Sequence, residues 1–131
     1  MDIKLGGLGA KIQGLNRISA QPVSAVFAWK LTKVLRKLGE EAKDFEDVRI
    51  TLCRKHGKKD FKGEPLIIEK DGRQQYVGLE ENEEFITELN ELADKTVSID
   101  FVPIPVGQME LEGIKLSIDD MLMLGDFVTG D

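Results

Sequence analysis

A chain of 131 residues, 41% apolar and 32% charged, has the size and composition of one soluble globular domain, residues 1–131, with no room for a second. No apolar run approaches the roughly 20 residues that span a bilayer, no apolar signal-peptide core follows Met1-Asp2-Ile3-Lys4, and the lone Cys53 has no cysteine to pair with, so the expected setting is cytoplasmic, away from membranes. The net charge of −6 divides unevenly, because residues 1–40 carry seven basic groups against Asp2 and Glu40, net +5, whereas residues 41–131 carry eleven against twenty-two acids, net −11; the halves attract one another, and the whole chain is repelled by nucleic acid.

Gly6, Gly7 and Gly9 read as a flexible lead-in, since their spacing matches neither dinucleotide-binding nor P-loop fingerprints. Leu8, Ile12, Leu15 and Ile18 then recur at helical spacing and predict a short helix, weakened by Gly14 by about 1 kcal/mol relative to alanine. Pro22 or Ser24 starts the element that organises the chain, one long amphipathic helix from Ser24 to about Leu52. Phe27, Leu31, Val34, Leu35, Leu38, Ala42, Phe45 and Leu52 share a stripe roughly 100° wide, the width of a core-facing helix. Gly39 predicts a bend or a close backbone crossing. The basic run Arg54 to Lys59 signals the helix end, with Gly57 available for a left-handed cap.

Asp71-Gly72 between Leu66-Ile67-Ile68 and Tyr76-Val77 predicts a hairpin whose two turn residues take positive φ. Glu80–Ala93 predicts a second helix, with acids in its first turn and Phe85, Ile86, Leu89 and Leu92 on its apolar face. Thr96–Phe101 alternates as a strand with Val97, Ile99 and Phe101 inward, and Pro103 and Pro105 close it. Val106–Ile114 reads as a loop or an edge strand, and the capping box of Ser117 and Asp120 opens a short closing helix. The expected class is α+β: a long amphipathic helix packed with a shorter helix, a β-hairpin, one further strand and a short C-terminal helix.

Enzymatic residues are scarce. Cys53 and His56 lack a third metal ligand and an orienting group, and Glu80, Glu81, Glu83 and Glu84 read as acids favoured by a helix N-terminus, so no catalytic residue, cofactor or metal is assigned. Trp29 falls roughly 180° from the apolar stripe, on the face of Lys33 and Arg36, and three readings compete for it: a second core layer against Leu8, Ile12 and Leu15, a self-association seam, or a site for another macromolecule. Lys30 and Lys37 recur with Lys33 at helical spacing and read either as phosphate contacts or, since no reading helix or RNA-binding motif accompanies them, as a solvated face, which is favoured. Met121, Leu124 and Phe127 form either a lid over the long helix or a secondary interface.

Arg17 to Asp60, RISAQPVSAVFAWKLTKVLRKLGEEAKDFEDVRITLCRKHGKKD, with FITELNELADKTVSIDFVPI and LSIDDMLMLGDFV, resembles a group of small tailed-phage proteins that lack an assigned function. The likeness spans nearly the whole chain and rests on packing and capping residues; the early glycines and residues 103–113 depart from it. It implies a phage accessory protein working in the host cytoplasm, in virion assembly or in inhibition of a host protein. The expected mode of action is non-enzymatic protein–protein association, with homo-oligomers favoured by the two-faced helix; the alternative is nucleic-acid binding through the basic face.

Overall fold

Ser24 begins the helix on which the rest of the chain is laid. In the computed structural model, which describes residues 1–130, its side chain accepts the Phe27 N–H and opens α2, Ala25–His56. At 1.5 Å per residue α2 is roughly 48 Å long. Phe27, Leu31, Val34 and Leu38 are buried along one stripe, and Leu35 and Ala42 lie half-buried at its border. The helix therefore continues past Leu52, and Cys53 is buried near its end.

Before α2 lie β1, Asp2–Lys4, a 3-10 turn at Leu5–Gly7, and α1, Leu8–Ser19. The glycines expected to form a flexible lead-in are thus part of regular structure, Gly6 and Gly7 in the 3-10 turn and Gly9 in α1, while β1 before them pairs antiparallel with residues 96–98. Gly6 has a packing role there: a Cβ on it would lie 3.0 Å from the Ala93 Cβ.

The chain leaves α2 through Gly57, which is extended rather than left-handed, with φ −64° and ψ 156°. This conformation turns the Lys58 N–H to the Val77 carbonyl (2.9 Å), while the Leu66 N–H reaches the Lys58 carbonyl (2.8 Å), so the exit segment is stitched to the base of the hairpin. The hairpin is β2, Ile67–Lys70, with β3, Arg73–Tyr76, joined by Asp71 (φ 53°) and Gly72 (φ 75°) as the turn chemistry requires. Gly39 marks no close crossing: α2 continues through it, and a Cβ there would meet nothing within 4 Å.

Asn82 caps α3, Glu83–Ala93, by accepting the Phe85 N–H (2.9 Å), so this helix starts three residues later than expected. It packs on α2, its cap Asn82 donating to the His56 carbonyl (3.2 Å), Glu88 at mid-helix meeting the His56 ring, and Ala93 at its end lying against Gly6. β4, Thr96–Ser98, follows and pairs with β1, Ile3 opposite Val97. The expected strand to Phe101 is shorter as a ladder, yet its alternation holds, with Val97, Ile99 and Phe101 joining the core.

The remainder departs from the expected loop. β5, Ile104–Pro105, leads directly into α4, Val106–Leu111, and α5, Ile118–Leu124, carries the complete Ser117–Asp120 capping box. A 3-10 turn at Gly125–Phe127 then delivers β6, Val128–Thr129, parallel to β5. A long helix, shorter helices and small two-stranded sheets make the fold α+β.

The reading of Leu124 and Phe127 as a secondary interface is corrected here. Both are fully buried at 0% exposure, because α5 presses on α1 at Gly14, whereas Met121, 38% exposed, lies at the surface with Ile118 and Leu122. The segment covers α1 rather than forming the expected lid over the long helix.

Candidate functional site

Trp29, Lys33 and Arg36 follow one another at helical spacing on the outer side of α2. Trp29 is 58% exposed and does not pack as a second core layer; Leu8 and Leu15 are buried in the core without it. Its indole carries the Lys33 ammonium 5.2 Å from the ring centroid, a cation–π contact worth about 0.5–1 kcal/mol at an exposed site.

One step round the helix, Lys30, Lys33 and Lys37 border a cleft of about 810 Å³ between α2 and the extended segment 98–105. Phe27, Leu31 and Val34 form its base, and Phe101, tilted against Phe127 at 4.6 Å between centroids, anchors the opposite wall. Lys37 is bonded to Glu41 (3.1 Å), whose carboxylate raises the lysine pKa above its usual value. Lys30, Lys33 and Arg36 have no carboxylate within ion-pair distance among the described residues, which leaves three cations and an indole beside a cleft of ligand-binding size.

The structure thus divides the expected face in two. Lys30, Lys33 and Lys37 look into the cleft, Trp29 and Arg36 sit on its shoulder, and Lys33 belongs to both. The wall of residues 98–105 was not visible as part of a site in the sequence, since its position depends on pairing between chain segments nearly a hundred residues apart. A second exposed surface was also missed. Phe61 is 94% exposed, and Ile67 and Ile68 are about half exposed on a hairpin arm that stands off the core.

The residues considered for catalysis are occupied otherwise. His56 Nε2 is 2.8 Å from Glu88, its ring lies 6.1 Å from that of Phe85, and Lys55 shares the same carboxylate at 3.1 Å. These contacts, His56 first, hold the Glu88 carboxyl below the usual carboxylate range. Burial pushes the Cys53 thiol up, and its hydrogen-bond donor is Arg49 (3.6 Å) rather than His56, so it lacks the lowered pKa of a nucleophilic cysteine. His56 does meet Glu81, Glu83 and Glu84 around a shallow, open depression beside Asn82. Among the described residues no three His, Cys, Asp or Glu side chains are arranged to hold a metal ion.

No helix of the described residues is long and apolar enough to cross a membrane. No family of known proteins, curated protein or solved structure matches the chain.

Proposed function

We propose that this protein acts without catalysis, by docking another protein on the side of α2 that bears Trp29, Lys33 and Arg36. The exposed Trp29 carries the reading: its large indole, in contact with Lys33 and on the same face as unpaired Arg36, brings together two residue types enriched where binding energy concentrates. The neighbouring cleft supplies depth for an anchoring side chain. A second copy of the chain is the first partner to test. The resemblance to small tailed-phage proteins supports a role in virion assembly or in capture of a host protein in the host cytoplasm.

Light scattering at micromolar concentration tests the face. The wild type is expected to exceed the mass of one chain, and the double variant Trp29→Ala, Arg36→Ala to return to one chain with helix content intact. A wild-type monomer removes the homo-oligomer, and unchanged association in the double variant removes the face.

The row Lys30, Lys33 and Lys37 favours nucleic acid, held by its phosphates, as the alternative partner. Its affinity would fall steeply with salt, and absence of a gel shift at low salt rejects it. The apolar base of the cleft and the engagement of Lys37 by Glu41 favour protein.

A further inference from the structure

We infer that the cleft beside α2 takes a partner segment in extended form, added as a strand to the free edge of β4 and acidic where it meets Lys30 and Lys33. This deepens the docking proposal and rests on it.

The backbone of the β1–β4 ladder sets the geometry. Ile99 exchanges both hydrogen bonds with Met1 (2.9 and 2.8 Å), and the Leu5 N–H bonds the Lys95 carbonyl (2.8 Å). Bonded residues alternate along an antiparallel strand, so Lys95, Val97 and Ile99 face β1, and the N–H and C=O groups of Thr96, Ser98 and Asp100 are directed to the other edge. No strand of the described residues lies there, since the sheet contains β1 and β4 alone, and the N–H groups of Asp100, Phe101 and Val102 have no backbone partner. Ser98, Asp100 and Val102 line the cleft. An open edge of this kind is the template on which extended peptides add a strand, their main chain supplying affinity and their alternate side chains specificity.

A helix in the cleft would satisfy its own backbone and leave the β4 edge as it is; a strand uses it. Val102, 81% exposed on the wall, and the lysine stems give an added strand apolar contact on one side. Charge determines what the side chains toward α2 should be. Lys30 and Lys33 have no carboxylate partner among the described residues, so glutamate or aspartate at alternate positions completes them, whereas basic residues there are repelled.

The probe is the capped peptide Glu-Val-Glu-Val-Glu-Val, titrated into the full chain and followed by calorimetry and amide hydrogen exchange. It is expected to bind, to slow exchange at Ser98 and Asp100, and to weaken on the order of tenfold when Lys30→Glu and Lys33→Glu are combined. Both lysines are exposed, so the double variant should fold, which circular dichroism verifies. Peptides N-methylated at all valines or at all glutamates separate edge pairing from charge attraction: one of the two should lose binding. Equal affinity of both methylated forms, equal binding of Lys-Val-Lys-Val-Lys-Val, helical signal from the bound peptide, or unchanged exchange at Ser98 and Asp100 each overturn the inference. If no peptide binds while Trp29→Ala, Arg36→Ala still abolishes self-association, docking through Trp29 stands and the extended occupant falls. If the chain is a monomer yet binds the acidic peptide through Ser98 and Asp100, the cleft stands and the Trp29 seam falls.

Discussion

Leu124 occupies the place where Gly14 would carry a side chain. A Cβ built on Gly14 lies 2.9 Å from both Leu124 Cγ and Cδ2, and Leu124 is fully buried, with no room to retreat. Gly14→Ala should therefore destabilise the protein by about 1–3 kcal/mol, overpacking outweighing the helix-propensity gain of about 1 kcal/mol. Gly39→Ala in α2, which meets nothing, should stabilise by about 0.5–1 kcal/mol. Urea midpoints of the two variants, moving in opposite directions, check the pair.

Two residues of the closing segment should behave differently. Leu124→Ala empties a fully enclosed site and should cost about 2–5 kcal/mol, whereas Met121→Ala, at the surface, should cost much less. Equal losses in thermal unfolding would mean that α5 does not press on α1 as described.

Trp29→Ala should change stability by no more than about 1 kcal/mol, the worth of its contact with Lys33, since the side chain is largely exposed. Trp29 is the only tryptophan, so emission reports it alone: it should match a water-exposed indole in the isolated chain and shift to the blue on partner docking.

Acid should loosen three tertiary contacts together. Asp120 is held below the usual carboxylate range first by the Ser117 N–H (3.0 Å), then by the Ser117 hydroxyl and Arg17; Glu88 by His56 and Lys55; Glu112 by the Ser24 N–H (2.8 Å) and hydroxyl. Each folded pKa lies below its unfolded value, so the stabilisation is complete above the ordinary carboxylate range and is lost as pH falls through it, from about 4 downward. Denaturant midpoints measured from pH 6 to 2.5 should decline over that window, and less steeply in Asp120→Asn, which begins less stable.

Gly72→Val places a β-branched residue at φ 75° and should cost about 1–2 kcal/mol within the hairpin. Because β2 and β3 stand off the core, amide exchange from Ile67 to Tyr76 should quicken while the global midpoint barely moves. A matching loss of global stability would show the arm to be part of the core.

Local chemistry alone makes several elements legible in the sequence. The apolar spacing of α1 and α2, the positive-φ pair Asp71-Gly72 and the Ser117–Asp120 cap depend on residues within a turn of one another, and so does the placing of Trp29 opposite the stripe of Leu31 and Leu38. Boundaries were less legible: Asn82 rather than Glu80 starts α3, because its side chain reaches the Phe85 N–H, and α2 continues to His56, where Asn82 bonds the His56 carbonyl (3.2 Å).

Partners distant in sequence were decided by tertiary structure alone. Whether Gly14 weakens a helix or admits Leu124, whether Phe127 faces a partner or Phe101, and whether Gly6 belongs to a loose lead-in or packs on Ala93 all turn on contacts between residues far apart in the chain, which no local period encodes. The same holds for the cleft. From the sequence came the row Lys30, Lys33 and Lys37 on one side of a helix; the open edge of β4 opposite that row exists only because β1 takes the other edge.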